Sequence, residues 1–110
     1  MTDIHFKRGS TLPVYTVKLY RPDSPTQPLP LAGAEVRLLA RSKYSSKIVL
    51  DQILDVIDVA TGECQLTRTT DEFPIGAECR AEIIVTFGNG SVLIMPETGY
   101  YTMYIEESLI

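Results

Sequence analysis

Few side chains of this sequence could take part in acid–base chemistry, and none of them lies in an arrangement typical of a catalytic site. Neighbouring acids occur at Asp71-Glu72 and at Glu106-Glu107. Glycosidase-type catalysis needs two carboxylates held on opposite sides of one bond, whereas adjacent acids in a loop or a tail are ordinary solvated charges. The only histidine, His5, lies near the N-terminus, where we expect it to be solvated and unable to serve in a Ser-His-Asp set. We therefore predict no catalytic residue and no enzymatic activity.

The two cysteines, Cys64 and Cys79, both fall at inward-facing positions of predicted strands. We predict two small, reduced, buried side chains, and the alternative is a disulfide that joins the two strands. Two cysteines and one histidine do not complete the four-ligand set of a structural zinc site. Gly88-Asn89-Gly90 joins two strands, whereas phosphate-binding loops open onto a helix. No metal and no cofactor is expected.

The composition is that of one ordinary globular domain. The chain has 110 residues, of which 45% are hydrophobic and 22% are charged. A net charge of -4 argues against nucleic acid and against a basic membrane-surface patch as partners. No apolar run approaches the roughly 20 residues that span a bilayer. Residues 1–8 lack the apolar region of a signal peptide, so we expect synthesis in a cytoplasm.

The clearest sequence pattern predicts a hairpin over residues 76–100, and this hairpin could position functional side chains. Its first strand alternates at period two, which indicates one face in a core and one face outside it. The inward face holds Cys79, Ala81, Ile83, Val85 and Phe87, and the outward face holds Arg80, Glu82, Ile84 and Thr86. A turn at Gly88, Asn89 and Gly90 leads to a return strand over 91–95, which Pro96 ends.

The segments before this hairpin also favour strands. The first is predicted over 12–20, and four prolines in 21–30 then predict an exposed connection, the alternative being a polyproline segment that docks on an aromatic groove. The second strand covers 34–41, and its two faces hold Ala34, Val36, Leu38 and Ala40 on one side and Glu35, Arg37, Leu39 and Arg41 on the other. Residues 47–58 favour short strands because they are rich in β-branched residues, although their spacing also permits a helix.

Turns and strands alternate through the rest of the chain. A turn over 58–62 requires Gly62 in a positive-φ conformation, a strand over 63–67 follows, and 69–76 is a loop. The last strand covers 100–106, and Gly99 precedes it as a turn residue. Seven or eight short strands without a helix predict an all-β, antiparallel β-sandwich over residues 11–106, and it is immunoglobulin-like in architecture at most, because the chain has no Trp for the Cys, Trp, Cys hallmark. Residues 1–10 are expected to form an exposed N-terminal arm and 107–110 a C-terminal tail.

The last strand carries the best candidate for a contact surface. Tyr100, Thr102 and Tyr104 share one face of this strand, and tyrosine is enriched in protein interfaces. The alternative is that this face packs within the sandwich. We expect the strand to lie at a sheet edge and to mediate self-association or binding of another protein. A second interpretation uses Tyr100, Tyr101 and Tyr104 to bind a glycan.

Several landmarks, taken in order, resemble the immunoglobulin-like N-terminal domain of phage baseplate upper proteins and related phage tail and tail-fibre proteins. They are Arg8-Gly9-Ser10-Thr11-Leu12-Pro13, Leu31-Ala32-Gly33-Ala34-Glu35-Val36, Asp58-Val59-Ala60-Thr61-Gly62-Glu63, the stretch 76–82, Val85-Thr86-Phe87-Gly88-Asn89-Gly90 and Met95-Pro96-Glu97-Thr98-Gly99-Tyr100. The likeness extends from Arg8 to Ile105. Ser10 and Asn89 stand where the pattern usually has Asp, and Cys79 stands where it has an aromatic residue.

This resemblance implies a structural role in a virion and transfers no catalytic residue. In such proteins the module precedes a stalk or a receptor-binding region, and a free-standing copy is expected to be an accessory or adaptor subunit. The predicted function is therefore a non-enzymatic module of a phage or prophage tail, baseplate or tail fibre. Its partners would be other tail or baseplate proteins or further copies of itself, after synthesis in the host cytoplasm. The alternative is a small β-sandwich that binds a ligand or glycan through its tyrosines.

Overall fold

The computed structural model describes residues 3–7, 15–45, 47–66, 77–96 and 99–106. Within these ranges the chain forms strands and no helix. The strands are β1 (Asp3–Lys7), β2 (Tyr15–Lys18), β3 (Tyr20–Arg21), β4 (Ser24–Pro28), β5 (Glu35–Ser42), β6 (Ile48–Asp58), β7 (Glu63–Leu66), β8 (Ala77–Thr86), β9 (Val92–Met95) and β10 (Tyr101–Glu106). The all-β prediction is confirmed.

Strand β8 is an interior strand of the main sheet with one buried face, as the alternation in its sequence predicts. Cys79, Ala81, Ile83 and Val85 are at most 1% exposed, whereas Arg80 and Thr86 on the opposite face are exposed. One side of β8 pairs along its length with β5. The other side pairs with β10 in its first half and with β9 in its second half. A strand that is paired on both sides and buried on one face explains why its apolar residues recur at every second position.

The main sheet curls into two layers that face each other, which is consistent with a β-sandwich. Its strand order is β1-β10-β8-β5-β6-β7-β2, with β9 also beside β8. We call β1, β10, β8, β9, β5 and the start of β6 the first layer, and the end of β6, β7 and β2 the second layer. Long strand β6 belongs to both, because 48–54 pair with β5 and 55–58 pair with β7. The sheet is mixed, and not antiparallel throughout as predicted, since β1 runs parallel to β10.

Side chains from the two layers meet between them. Phe6 of β1 packs edge-on against Tyr15 of β2, with ring centroids 5.5 Å apart. Burial in this contact raises the pKa of Tyr15 to about 12, and the nearby phenol of Tyr101 adds to the shift. The buried core comprises Ile4, Phe6, Val17, Leu19, Leu29, Leu31, Val36, Leu38, Ala40, Val49, Leu50, Leu54, Cys64, Leu66, Cys79, Ala81, Ile83, Val85, Met95, Met103 and Ile105.

The prediction of an exposed N-terminal arm is wrong for residues 3–7. This segment is strand β1, and it lies in register beside β10 from Asp3–Thr102 to Lys7–Glu106. Ile4 and Phe6 are buried, and His5 and Lys7 between them are exposed. Two apolar residues at i and i+2 were too short a pattern to identify a strand without its partner. The predicted division into arm, domain and tail otherwise stays a prediction, because 8–14 and 107–110 lie outside the described residues.

The proline-rich segment 21–30 forms most of a small hairpin off the main sheet. Strand β3 pairs with β4 in a separate two-stranded sheet, and most of its described side chains are exposed. Leu29 and Leu31 then turn into the core, and the Leu29 N–H donates to the Leu19 carbonyl at 2.9 Å. The predicted exposed connection is therefore correct in place, and it forms a short ladder with a register shift between Tyr20 and Arg21, which its prolines did not suggest.

Residues 48–58 form a single strand of 11 residues, so the predicted series of short strands is wrong and the alternative of a helix is excluded. Val49, Leu50 and Leu54 are buried, whereas Ile53 and Ile57 are 62% and 53% exposed. The burial is irregular because β6 has register shifts opposite Ala40/Arg41 and between Val56 and Asp58, and because it passes from the first layer into the second. Two different environments on one strand mask the simple alternation of a strand with one inner face.

The turn residues occupy the ends of these strands. Gly62, Gly90 and Gly99 have φ values of 72°, 89° and 71°, the left-handed region that glycine adopts without cost. Gly88, Asn89 and Gly90 form a three-residue loop closed by the Gly90 N–H donating to the Phe87 carbonyl at 2.9 Å. Pro96 follows the end of β9. The predicted loop 69–76 lies outside the described residues.

Candidate interaction surface

The tyrosine-bearing strand β10 has the predicted alternation but not the predicted position. Met103 and Ile105 are buried, and Thr102 and Tyr104 face away from the core. Tyr100 lies just before the strand and is 57% exposed. Strand β10 is not at an edge of the sheet, since β8 pairs on one side and β1 on the other. The predicted use of β10 as an edge strand is therefore wrong, because β1 occupies that edge.

The three candidate interface residues lie on the outer face of the first layer, but they do not form one cluster. Tyr104 stacks on His5 of β1, with centroids 4.9 Å apart and ring planes inclined by 19°. Thr102 stands directly opposite Arg80 in the ladder with β8. Tyr100 contacts the same arginine, whose guanidinium carbon lies 5.5 Å from its ring centroid. Tyr100 and Thr102 thus share Arg80 as a neighbour, while Tyr104 belongs to the β1 side of the face.

A row of exposed apolar side chains crosses the same outer face. The ladders align Ile53 of β6 with Arg37 of β5, Arg37 with Ile84 of β8, and Ile84 with Ile94 of β9. We call Ile53, Ile84 and Ile94 the isoleucine row. Ile53 and Ile94 are 62% and 46% exposed, and Ile84 is half-buried. Neighbouring Val92 is 57% exposed, so the row extends toward the start of β9.

The positive charge of Arg37, which lies between Ile53 and Ile84, is neutralised by a neighbouring carboxylate. Arg37 forms a two-pronged ion pair with Asp51, in which Nε and Nη2 donate to the two carboxylate oxygens at 2.5 Å each. This hydrogen bonding lowers the pKa of Asp51 and raises that of Arg37. Bidentate pairing fixes the guanidinium plane and removes its net charge from the row. The middle of this face can therefore contact an apolar partner without leaving an unpaired cation.

The outer face of the second layer has a different character. Its central row consists of Asp55 of β6, Gln65 of β7 and Thr16 of β2, which the ladders place side by side. Lys18 stands opposite Glu63 in the next row that points outward. A polar outer face is what solvent contact alone requires. The first layer departs from that pattern, and its outer face is therefore the candidate interaction surface.

One end of this surface is a shallow cleft between β5, β8 and Tyr100, with a volume of about 160 Å³. We call it the arginine cleft. Its lining residues are Leu39, Arg41, Ser42, Lys43, Arg80, Glu82 and Tyr100. A second hollow beside it is lined in part by Glu78, Thr102 and the same Lys43, Arg80 and Tyr100. Thr102 and Tyr100, two of the three predicted interface residues, thus border the same concave region.

Contacts at the end of β5 hold the arginine cleft in place. The Ser42 N–H donates to the Lys47 carbonyl at 2.8 Å, which closes the turn between β5 and β6. The Lys43 N–H donates to the Glu78 carbonyl at 3.0 Å, and its ammonium lies 2.7 Å from the Glu78 carboxylate. The hydrogen bond to Glu78 raises the pKa of Lys43, with the charge of the same carboxylate as the next cause. The turn is therefore bound to β8 through both backbone and side chain.

The sequence contained a signal for the isoleucine row that period-two reasoning passed over. Ile84 and Ile94 fall at outward positions of their strands, where a polar residue is expected if water is the only neighbour. Ile53 carried no such signal, because the phase of β6 could not be read. The arginine cleft had no sequence signal either, since the register that sets Arg41 opposite Arg80 emerges only when β5 and β8 pair.

Other chemistry is sparse in the described part of the chain. Cys64 and Cys79 are free and buried, as predicted, and burial raises the pKa of the Cys64 thiol to about 11. The described residues contain no group of three or more side chains suited to hold a metal ion. Nor do they include a helix with the length and apolar character needed to cross a membrane.

Comparison of the chain with protein-family models and with curated proteins finds no match.

Proposed function

We propose that this protein is a non-enzymatic structural module of a phage or prophage virion. It would serve as an accessory or adaptor subunit of the tail, baseplate or tail fibre. In this proposal the outer face of the first layer binds neighbouring tail or baseplate proteins or further copies of the chain. The sequence landmarks between Arg8 and Ile105 support the phage assignment, and the isoleucine row supports the mode of action.

The observation that carries the proposal is the contrast between the two outer faces. The first layer exposes Ile53, Ile94 and Val92, whereas the central row of the second layer is polar and its side exposes Ile57 and Val59 only at the end of β6 and just after it. Protein interfaces combine an apolar centre with tyrosine and arginine at energetically important positions. Isolated exposed apolar residues need no explanation, but three isoleucines aligned on β6, β8 and β9, with the ion-paired Arg37 of β5 between the first two, do.

The immunoglobulin-like assignment belongs to the same proposal. Two facing layers, a central strand with one buried face and glycine turns at the strand ends are features that such domains have. The parallel pairing of β1 with β10 adds a strand to an otherwise antiparallel arrangement. In this arrangement the outer face of one layer is available to partners while the inner faces form the core.

Glycan binding remains the second candidate, because one observation favours it. Tyr100 offers an exposed ring at the rim of a concave region that also holds polar and charged groups. Aromatic rings beside hydrogen-bonding side chains suit a small polar ligand. Binding of the isolated domain on a glycan array, lost on replacing Tyr100 with Ser, would favour this function over the structural one.

The experiment that tests the structural function combines size-exclusion chromatography and light scattering with a pull-down, in which the bait is this protein and the candidate partners are the products of the neighbouring genes. The test variant is Ile53→Ser with Ile94→Ser, which removes the exposed ends of the isoleucine row. The matched control is Ile57→Ser with Val59→Ser, since Ile57 and Val59 are both 53% exposed and lie outside the row. A third variant, Tyr100→Ser with Tyr104→Ser, tests the tyrosines separately.

We expect wild type and the matched control to associate and the row variant to remain folded and lose association. Interface residues that matter typically cost more than about 1 kcal/mol each, so two of them should weaken binding about 30-fold or more. Equal association by the row variant and the control would exclude the isoleucine row from the interface. A wild-type protein that is monomeric and binds no tail protein would contradict the structural function itself.

A further inference from the structure

We propose that strand β9 pairs with β9 of a second copy of this chain, as two antiparallel edge strands related by a two-fold axis. The inference rests on the proposed function in one respect, because it names a further copy as a partner of the first layer. The main sheets of the two copies would become one sheet that runs through both molecules. The contact is made at the edge of the first layer and not across its outer face.

Strand β9 has one edge that no other strand of the described residues covers. It pairs with β8 on one side, and no ladder joins its other side to a described strand. Strand β1 covers the corresponding edge of β10, but its described residues start opposite Thr102 and so do not lie beside β9. The unpaired backbone groups of such an edge are a template for a strand of another molecule.

Val92 and Ile94 are the residues that offer backbone groups at this edge. At the end of the hairpin, the Phe87 N–H donates to the Ser91 carbonyl at 2.8 Å. Hydrogen-bonded and non-hydrogen-bonded pairs alternate along an antiparallel ladder, so Val92 and Ile94 form non-hydrogen-bonded pairs with β8. Their N–H and C=O groups therefore point away from β8 and toward the free edge. Their side chains are 57% and 46% exposed.

Strand β9 is complementary to itself when the two-fold axis passes through Leu93. Val92 of one copy then lies opposite Ile94 of the other, so the outward N–H and C=O groups meet, and exposed side chains stay on the outer face of both copies. With the axis at Ile94, Val92 would face Pro96, which has no N–H to donate. With the axis at Val92, Ile94 would face Gly90, which lies in the turn. A two-fold contact of this kind closes at two copies.

The surroundings of β9 contain no charge that would oppose the pairing. Residues 83–96 have no charged side chain, although 22% of the chain is charged. Edge strands of natural proteins commonly carry charged residues, lysine above all, which prevent pairing with another molecule. Val92 and Ile94 of the two copies would instead form cross-strand aliphatic pairs. A second copy suits this edge because the charges that make up the net charge of -4 lie outside it.

The pairing would also extend the apolar outer face from one copy to the next. Ile84 and Ile94 are aligned in the ladder between β8 and β9, and Val92 of the second copy would lie next in the same line. A four-residue ladder is a small contact, of the weak class that buries less than about 1,200 Å². The dimer is therefore expected to be reversible and to depend on protein concentration.

The position of the contact is tested by sedimentation equilibrium at pH 7 in salt of about 1 M, which screens the net charge. The edge variant is Ile94→Lys, which adds a charge at the free edge. The matched control is Ile53→Lys, which makes the same change at an exposed position of the isoleucine row on β6, away from that edge. Both variants lose an isoleucine and gain one positive charge, so a difference between them reports position alone. Circular dichroism checks that both are folded.

Disulfide trapping tests the register. Leu93 would meet Leu93 of the second copy as a non-hydrogen-bonded pair with Cα atoms about 4.5 Å apart, within the span of about 4.4–6.8 Å that a disulfide bridges. Leu93→Cys should therefore cross-link with copper(II) phenanthroline as the oxidant. Val92→Cys should not, because Val92 would lie opposite Ile94. Cys64 and Cys79 are buried and remain in both variants, and wild type treated with the same oxidant is their control.

We expect wild type and Ile53→Lys to dimerise alike, and the dissociation constant of Ile94→Lys to be about 30-fold higher, because the two-fold axis repeats the change at two positions. Cross-linking should occur with Leu93→Cys alone. A wild type that stays monomeric up to about 1 mM would overturn the pairing. Equal loss in both lysine variants would overturn the edge in favour of the outer face, and no loss in Ile94→Lys would exclude β9. Cross-linking of Val92→Cys would overturn the register.

The pull-down with the products of the neighbouring genes separates this inference from the proposed function. If wild type is monomeric but captures such a product, the pairing of β9 is wrong and the structural function stands. If wild type dimerises through β9 but captures none of these products, the pairing stands and the adaptor role is contradicted.

Discussion

Among the glycines of the described residues, Gly62 is the one at which an added side chain would clash with the backbone. Its φ is 72°, and a Cβ added there would lie 2.4 Å from the carbonyl oxygen of Leu19. That oxygen accepts the Leu29 N–H, and the Leu19 N–H in turn donates to the Gly62 carbonyl, both at 2.9 Å. The absence of a side chain at Gly62 therefore permits two backbone hydrogen bonds that connect β2, β4 and β7.

Replacing Gly62 with Ala should destabilise the protein by about 3 kcal/mol or more, because a positive φ and a backbone clash are combined. The matched control is Gly33→Ala. Gly33 has nearly the same φ, 71°, but nothing lies within 4 Å of an added Cβ. That change should cost only about 1 kcal/mol. Urea unfolding followed by circular dichroism measures both, and equal losses would show that the contact with Leu19 is unimportant.

The phenol of Tyr15 predicts how stability depends on pH in the alkaline range. Burial raises its pKa to about 12 in the folded protein, whereas an unfolded tyrosine titrates near 10. A raised folded pKa means that the stabilising contribution is fully present below about pH 10 and is lost as the pH rises toward 12. Burial shifts the pKa of Tyr101 in the same direction, so it contributes to the same loss.

We therefore expect the urea midpoint of wild type to fall more steeply between about pH 9 and pH 12 than that of a Tyr15→Phe variant. The variant retains a ring that can pack against Phe6, so its urea midpoint at pH 7 should differ only slightly from that of wild type. The difference between the two midpoints, measured at each pH, is the quantity of interest. Parallel curves over the whole range would mean that Tyr15 is not buried in the folded state.

Strand β1 joins the two layers, because it contacts both of them along its length. It hydrogen-bonds to β10 within the first layer, and its Phe6 packs against Tyr15 of the second. Phe6→Ala should therefore cost about 3–5 kcal/mol, as expected for a large buried aromatic residue. His5→Ala on the exposed face removes only the stack on Tyr104 and should cost about 1 kcal/mol.

Thermal unfolding of both variants measures the role of β1 directly. If the segment were an exposed arm, Phe6→Ala and His5→Ala would leave the melting temperature unchanged. If β1 is a strand of the core, Phe6→Ala alone should produce a large fall. A large fall for His5→Ala alone would instead place the main stabilising contact at the His5–Tyr104 stack.

The elements that could be predicted from sequence are those with one environment along their whole length. Strands β5 and β8 keep one face in the core, so apolar residues at every second position revealed both their existence and their phase. Strand β6 changes layers, and its burial follows no single period. Strand β1 shows only two apolar residues in five and exists because β10 is beside it.

The candidate site depends on which strands lie side by side, and the sequence of one strand does not show this. Tyr100 and Thr102 could be assigned to a surface by alternation alone. Their common neighbour Arg80, and the opposed Arg41, follow from the register of three strands that lie far apart in the sequence. The isoleucine row likewise requires β6, β5, β8 and β9 to be aligned before its members fall in one line across the sheet. Such surfaces are properties of the assembled sheet, and local patterns do not encode them.

At the scale of the whole molecule, net charge and the isoleucine row have opposite effects on association between copies of the chain. The chain carries a net charge of -4 at pH 7, and its isoelectric point is near 4.9. Like charge keeps copies apart at neutral pH, and this repulsion vanishes as the isoelectric point is approached. The apolar contacts between exposed faces do not depend on pH in this way. Association in solution should therefore be governed by charge at pH 7 and by the row near pH 5.

We expect light scattering of wild type to rise as the pH falls from about 7 to about 5, and to rise at pH 7 when salt of about 1 M screens the charges. The Ile53→Ser, Ile94→Ser variant has the same charge but lacks the exposed ends of the row, so its scattering should rise much less under both conditions. The Ile57→Ser, Val59→Ser variant removes the same number of exposed apolar side chains elsewhere and should behave as wild type does. If all three proteins scattered alike, association near the isoelectric point would depend on charge alone, and the row would have no special affinity for apolar surface.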